Sequence, residues 1–173
     1  MVSETTIYTI GHSTRPIDAF LTILKQYEID ELVDIRTIPY SGYNPQFNRE
    51  SIAAACSKVR ITYRHDEGLA GPPPSPAVMK KARTCAERSV GYDRYLDGET
   101  AQAAIDHLRI IAELGQKVAL MCGEIQPDRC HRFRLAARLI GRVIDKSRSN
   151  HPPTEVLHII DEDQVIPQTP ILL

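Results

Sequence analysis

Hydrophobic positions along the chain alternate between two spacings, and each spacing predicts a different kind of element. Short apolar runs rich in β-branched residues predict five strands, and apolar residues that recur every three or four positions predict helices between them. The predicted strands cover residues 7–10, 31–35, 61–63, 118–121 and 156–160. The predicted helical stretches begin near residues 17, 49, 77, 101 and 133.

Local chemistry indicates where some of these elements begin and end. Pro16 suits the first turn of the first helix, since its missing N–H would have no partner there. Gly115 follows the longest apolar stripe, at a position where a left-handed residue often ends a helix. Residues 68–76 contain four prolines and predict a loop, because proline fixes φ and removes a backbone donor.

The order of the elements predicts an α/β fold. Strands that alternate with helices form a mostly parallel sheet, here of about five strands, with helices on both faces in a single three-layer domain. We expect one domain over residues 1–173, with a compact core at about 7–160 and a C-terminal tail at 161–173. The tail packs either on this domain or on a second copy of the chain, and the second arrangement would form a homodimer.

Composition limits the classes of protein that the chain can belong to. Charged residues make up 25% and apolar residues 42%, which is typical of a globular protein. No apolar run approaches the roughly 20 residues that cross a bilayer, and the N-terminus lacks the pattern of a secretion signal. We therefore expect a cytoplasmic protein with no membrane partner.

Charge is unevenly distributed along the chain. The formal net charge of −1 argues against a protein devoted to coating nucleic acid. Residues 129–148, however, hold seven cations against one anion. Such a patch favours an anionic partner, a small molecule or a nucleic acid, or is simply a solvated helix face.

Polar residues with chemically active side chains follow three of the predicted strands. Because parallel strands end at one edge of a sheet, residues that are far apart in sequence would meet there. We predict a candidate site from the residues that follow the first strand (His12 and Arg15), the second strand (Asp34, Arg36, Asn44, Gln46 and Asn48) and the fourth strand (Cys122, Glu124, Cys130, His131 and Arg132).

Arginine gives the main binding signal in this set. We expect Arg36, Arg132 and Arg15 to bind phosphate or carboxylate, because guanidinium groups and helix amino ends both favour anions. Asp34 belongs either to the substrate site or to an internal ion pair with Arg36.

The remaining binding candidates have less specific chemistry. Asn44, Gln46 and Asn48 can read the edge of a base or cap a turn. Cys130 and His131 directly precede Arg132 and are placed with the substrate-binding residues. Phe47 could stack on a base.

Three residues are candidates for catalysis. Glu124 can act as a general acid or base, or it pairs with an arginine and closes the loop. Cys122 is either a nucleophile, favoured by nearby arginines and helix amides, or a small buried residue at a strand end. His12 can transfer a proton at neutral pH or bond a neighbouring carbonyl.

The four cysteines do not form a disulfide framework in a chain of this size. Cys56 and Cys85 are expected to pack within helices. Cys122, Cys130, His131 and His12 could supply four metal ligands, but the seven-residue gap between the two cysteines is poor evidence for zinc. The same gap is poor evidence for a redox pair. No metal or cofactor is therefore predicted.

Four segments give the chain a family resemblance: TIGHSTR at 9–15, VDIR at 33–36, NPQFN at 44–48 and ALMCGEIQPDRCHR at 119–132. With these segments, residues 7–160 resemble the family catalogued as domain of unknown function 488. The resemblance implies a compact three-layer α/β fold and marks the same motif positions, but it supplies no activity. It also implies a basic turn after the third strand, where this chain has Gly68-Leu69-Ala70-Gly71-Pro72 instead.

These observations favour an enzyme, a hydrolase or transferase that uses Glu124, Cys122 or both. Its substrate would be a small phosphorylated or nucleotide-like molecule or the end of a nucleic acid. The alternative is a non-catalytic module that binds nucleotides or nucleic acid with the same residues. A third interpretation is a cysteine-based redox or metal-binding protein.

Overall fold

The computed structural model describes residues 5–141 and 154–169. These residues form a sheet with the strand order β3-β2-β4-β1-β5-β6, in which the first five strands are parallel and β6 is antiparallel to β5. The predicted α/β class is thus confirmed. The strands are β1 (Thr5–Gly11), β2 (Glu31–Asp34), β3 (Thr62–His65), β4 (Val118–Cys122), β5 (Thr154–Ile159) and β6 (Val165–Pro167).

Helices cover both faces of the sheet. α1 and α2 pack on one face around Phe20 and Ile52, and α7 and α8 pack on the other around Ile105 and Leu135. Single 3₁₀ turns lie at Pro45–Phe47 and Pro127–Arg129. The helices are α1 (Ile17–Gln26), α2 (Arg49–Lys58), α3 (Glu67–Ala70), α4 (Pro76–Lys81), α5 (Cys85–Arg88), α6 (Tyr92–Leu96), α7 (Glu99–Glu113) and α8 (Arg132–Gly141).

The register of the central strands brings the predicted polar positions to one edge. Gly11 at the end of β1 pairs with Cys122 at the end of β4, and Asp34 at the end of β2 pairs with Met121. The pairing continues past β1, since the His12 N–H donates to the Cys122 carbonyl at 2.9 Å. The residues that follow β1, β2 and β4 therefore meet at the carboxyl edge of the sheet.

Gly11 allows this edge to close. A Cβ at position 11 would overlap the backbone carbonyl of Glu124 and come within 3.0 Å of the Arg132 guanidinium. The segment after β4 can lie across the end of β1 because glycine has no side chain there.

Two expectations about loops and short helices were wrong. Gly68–Ala70 belong to helix α3 and Pro76 begins α4, so only residues 71–75 of the predicted loop lack regular structure. The helical stretch expected over 77–88 is broken at Ala82, whose backbone is extended. The α6 helix was not predicted. It is held by tertiary contacts, which include the buried Tyr92 hydroxyl donating to the Leu69 carbonyl at 2.6 Å.

The end of α7 agrees with its sequence signal, whereas the end of β3 does not. Gly115, just beyond α7, has the expected left-handed backbone at φ 87°. β3 runs to His65, two residues beyond its predicted end. Part of the C-terminal tail adds β6 to the sheet.

A buried hydrogen-bond chain ties the tail to the centre of the sheet. The His158 ring lies between the Thr9 hydroxyl at 2.7 Å and the Gln168 side-chain carbonyl at 2.8 Å. The Gln168 amide donates in turn to the Thr169 carbonyl. Both ring nitrogens of His158 are thus satisfied within the protein.

Two arginines in the described part of the basic segment 129–148 form ion pairs within the protein. Arg138 pairs with Asp97 at 2.7 Å and Arg134 with Asp93 at 3.7 Å, which joins α8 to the end of α6. The charges at Arg142, Asp145, Lys146 and Arg148, like Pro170, lie outside the described residues. Within residues 5–141 and 154–169, no helix has the length and apolar character that crossing a membrane requires.

Candidate functional site

A pocket of about 430 Å³ opens at the carboxyl edge of the sheet, where β1, β2 and β4 end. Its floor comes from residues at the strand ends, and its walls come from the segment after β2 and from α4 and α5. It is lined by His12, Ser13, Thr14, Arg36, Thr37, Ile38, Tyr40, Ser41, Asn44, Pro74, Met79, Cys85, Arg88, Ser89, Cys122, Gly123, Glu124 and His131.

Arg36 and Asp34 form a buried ion pair beneath this pocket. The Arg36 Nη2 donates to Asp34 Oδ2 at 2.6 Å, and its Nε donates to Oδ1 at 2.9 Å. Asp34 also accepts from the Tyr63 hydroxyl at 2.8 Å, and Arg36 donates to the Phe47 carbonyl at 2.7 Å. This bidentate pair fixes the guanidinium and balances much of its charge.

His12 is held as a neutral ring at the pocket floor. Its Nδ1–H donates to the Ser13 carbonyl at 2.8 Å, so Nε2 can accept from Arg36 Nη1 at 3.3 Å. Burial, followed by the nearby Arg36 charge, lowers the pKa of His12 to about 4. The ring stacks on Phe47 at 4.4 Å between centroids. His12 is therefore neutral at neutral pH, and its Nε2 serves as the acceptor for Arg36.

Glu124 and Arg88 are the charged side chains of the pocket with the greatest access to solvent. Their side chains are 28% and 40% exposed, and Arg88 Nη2 lies 3.9 Å from Glu124 Oε1. The same Glu124 oxygen accepts from the Cys85 backbone N–H at 3.2 Å. Arg88 was not predicted, because the sequence around α5 has no motif that marks a site.

Arg132 and Arg15, two of the three arginines predicted to bind an anion, do not line the pocket. Arg132 is fully buried, and its guanidinium donates to the backbone carbonyls of Glu124 and Ile125. Arg15 donates to the carbonyls of Gly11 and Ile160 at the ends of β1 and β5. Arg15 satisfies carbonyls at strand ends and Arg132 satisfies carbonyls of the segment after β4, so both side chains hold the edge of the sheet together.

Of the three polar residues predicted in the segment 44–48, Asn44 lines the pocket, whereas Gln46 and Asn48 do not. Gln46 donates to the Arg15 carbonyl at 3.0 Å, and Asn48 accepts from the Ser41 N–H at 2.7 Å. Phe47 is fully buried, so it cannot stack on a base as expected. This segment serves mainly to shape the pocket wall.

Four metal-ligating side chains meet at the base of the pocket. We call Cys85, Cys122, Cys130 and His131 the Cys3His cluster, and their ligand atoms all lie within 4.8 Å of one another. Cys85 Sγ is 3.4 Å from Cys122 Sγ, 3.7 Å from Cys130 Sγ and 2.9 Å from His131 Nδ1. Among the described residues, this group could hold a metal ion.

His131 is oriented toward the sulfur atoms by its other nitrogen. Nε2–H donates to the Ile35 carbonyl at 2.8 Å, so Nδ1 faces Cys85 at 2.9 Å and Cys122 at 3.7 Å. Although burial opposes its charge, the hydrogen bond with Cys85 raises the pKa of His131 to about 9. Hydrogen bonds with Cys122 and Cys130 lower the pKa of Cys85, whereas burial raises the pKa of Cys130.

The cluster differs from the two sets that the sequence suggested. Cys85, expected only to pack within a helix, takes the place that His12 had in the metal set considered there. Cys122 and Cys130, considered as a redox pair, share the site with a third sulfur. Cys56 is buried in α2 on the opposite face, as predicted, and burial raises its thiol pKa to about 12.

Residues 16–139 match the family described as Domain of unknown function DUF488. The chain belongs to this family. Comparison with curated proteins and with solved structures finds no match. The matched range includes the Cys3His cluster, Arg36, Arg88 and Glu124, whereas His12 precedes it. The family description names no activity.

The pocket of this DUF488 domain combines three chemical functions. Arg88 and the edge of Arg36 present positive charge, and the hydroxyls of Ser13 and Thr14 add hydrogen-bonding groups. Glu124 presents a partly exposed carboxylate beside them. Below lies a buried set of sulfur and nitrogen ligands. Such a pocket can hold an anion next to a proton-transferring group.

Proposed function

We propose that this DUF488 domain is an enzyme that acts on a small phosphorylated or nucleotide-like substrate, or on the end of a nucleic acid. The observation that carries the proposal is the pairing of one accessible carboxylate, Glu124, with one accessible guanidinium, Arg88, over a single polar pocket. The reaction class that fits is hydrolysis or group transfer, with Glu124 in acid–base chemistry.

Arg88 would be the main residue that binds the anion. Arg36 is held by Asp34, so its charge is largely balanced and only its edge faces the pocket. Arg88 makes a long contact of 3.9 Å with Glu124 and is free to turn toward a phosphate. Guanidinium binds phosphate through paired charge-assisted hydrogen bonds, which fix orientation as well as affinity.

Glu124 is assigned the proton transfer. Its Oε1 is occupied by the Cys85 N–H, whereas no described residue donates a hydrogen bond to Oε2. A carboxylate with one oxygen anchored and one open is positioned to take a proton from an attacking hydroxyl or to give one to a leaving group. His12, whose Nε2 accepts from Arg36, would hold that guanidinium in place at the pocket floor.

The second candidate function is a non-catalytic module that binds the same anions. It is favoured by the contacts of Glu124 with Cys85 and Arg88, which suit a carboxylate that only holds the pocket wall in place. Under that alternative, Arg88 would still bind the anion, and turnover would be absent.

Arg88→Gln is expected to weaken phosphate binding by roughly tenfold or more, which corresponds to the loss of a hydrogen bond to a charged group. Inorganic phosphate and AMP would be titrated into labelled protein and followed by amide chemical shifts of residues 122–132. Arg94→Gln on α6 is the charge-matched control, since Arg94 is exposed and does not line the pocket. Equal weakening in both variants would contradict an anion site at Arg88.

Glu124→Gln is expected to lower turnover on the order of 10²-fold while phosphate binding is kept, because the amide cannot exchange the proton. Nucleotides, sugar phosphates and short oligonucleotides would be incubated with the protein and followed by phosphorus NMR and chromatography. Glu99→Gln at the exposed start of α7 is the matched control. Wild-type protein that binds these compounds and converts none of them would favour the binding module over the enzyme.

A further inference from the structure

We propose that the Cys3His cluster binds one Zn²⁺ in a closed tetrahedral site, which fastens the α4–α5 wall of the pocket to the carboxyl edge of the sheet. The sulfurs would bind as thiolates and His131 as a neutral imidazole, and the protons that the four ligands carry beforehand would go to solvent as the ion binds. The inference does not rest on the proposed enzymatic function, since a binding module would need the same wall.

The spacing of the ligand atoms fits one zinc ion. Zn–S bonds of about 2.3 Å at tetrahedral angles put thiolate sulfurs about 3.8 Å apart, and an imidazole nitrogen about 3.6 Å from each sulfur. The sulfur of Cys85 lies 3.4 Å from that of Cys122 and 3.7 Å from that of Cys130. Cys122 Sγ lies 3.7 Å from His131 Nδ1. All six pairs of ligand atoms lie within 4.8 Å, so a tetrahedral site needs Cys85 to move away from His131, now 2.9 Å from it, and the wider pairs to close in on the ion.

The donor set selects zinc over harder ions. Three thiolates and one imidazole are soft or borderline ligands, which Mg²⁺ and Ca²⁺ avoid and which structural zinc sites use. The His131 hydrogen bond to the Ile35 carbonyl is the outer-shell contact that zinc-ligating histidines typically make, and it turns Nδ1 toward the sulfurs.

Packing alone does not account for this arrangement. His158, a buried histidine of β5, has a fixed partner for each nitrogen in Thr9 and Gln168. His131 has such a partner on one nitrogen and points the other at a group of sulfurs. A disulfide between two cysteines would leave the third thiol and Nδ1 without a shared role. One ion satisfies all four atoms together.

Four protein ligands leave zinc no open position, so the site is structural. Its ligands come from three separate places: the start of α5, the end of β4 and the entry to α8. Neither α4 nor α5 has a buried residue, so hydrophobic packing holds this segment weakly. Cys85 would anchor it. Its own N–H binds Glu124, and Arg88 lies one helical turn further along.

The metal content of the full chain tests the proposal. We expect about one zinc per chain by elemental analysis after purification under reducing conditions. Replacement of zinc by Co²⁺ should give the intense visible bands of tetrahedral cobalt together with a thiolate charge-transfer band. Wild-type protein with no zinc and no such bands, or with an intramolecular disulfide in their place, would overturn the proposal.

Ligand variants test the assignment of the site. Cys85→Ser should weaken zinc binding by more than the roughly 10- to 100-fold that the loss of an outer-shell partner costs. Cys56→Ser is the matched control, because Cys56 is a buried thiol on the opposite face of the sheet. Equal zinc affinity in the two variants would contradict the assignment. Co²⁺ spectra of the wild type provide a readout that does not depend on whether a variant folds.

Discussion

Asp34→Asn is expected to lower the free energy of unfolding by about 3–5 kcal/mol, since it leaves a buried guanidinium without its counter-ion. Asp34 is fully buried and accepts from Arg36 and the Tyr63 hydroxyl. An asparagine keeps the shape of the side chain but turns an amide donor toward one of these donors. Urea unfolding followed by circular dichroism measures the change.

An exposed ion pair provides the control for this prediction. Glu28 pairs with Lys117 at the surface, and Glu28→Gln should leave the free energy of unfolding nearly unchanged because solvent screens both charges. The comparison separates a buried network from a surface pair that has the same formal charges. Similar losses in the two variants would show that the Asp34–Arg36 pair does not stabilise the edge of the sheet.

Removal of zinc is expected to lower the free energy of unfolding by about 4 kcal/mol, relative to protein in free Zn²⁺ at about 1,000 times its dissociation constant. The loss follows because only the folded chain brings the four ligands together. Amide exchange should rise most at residues 82–90, while α1 and α2 on the other face keep their protection. Faster exchange at residues 82–90 with unchanged protection of α1 and α2 would show that the pocket wall is released locally and that the domain stays folded.

Chelator together with a thiol reductant removes the ion without oxidising the cysteines, and thermal unfolding with and without added Zn²⁺ then measures the effect. Restoration by Zn²⁺ but not by Mg²⁺ is the expected result, given the sulfur ligands. Superimposable unfolding curves in chelator and in zinc would contradict a structural role for the ion.

Four of the parallel strands could be predicted because each contains a short apolar run that is visible without knowledge of its neighbours, whereas the polar and partly exposed β3 was placed only approximately. β6 could not be predicted, since its three residues are exposed, include Pro167 and become a strand only beside β5. α6 likewise depends on a partner, because the Tyr92 hydroxyl binds a carbonyl in α3. Elements that tertiary contacts stabilise leave little signal in their own sequence.

The candidate site likewise contains residues that the sequence could predict and residues that it could not. His12, Arg36 and Glu124 could be placed together because they follow parallel strands, and topology brings such ends to one edge. Cys85 and Arg88 lie in the long connection between β3 and β4, where short helices follow no regular period. The sequence also could not predict the direction in which an arginine side chain points. Arg132 turns to carbonyls that only the folded edge brings near it.

The central position of β1 has a kinetic consequence. β1 pairs with β4 on one side and with β5 on the other, and Val118, which pairs with Ile7, lies roughly 110 residues later in the chain. A ribosome that adds about 5–20 residues per second needs about 5 to 20 s to reach it. Until then β1, with its apolar residues Ile7 and Ile10, has no neighbouring strand. The sheet can therefore assemble around β1 only after β4 has been synthesised. Contacts between segments so far apart in sequence slow folding.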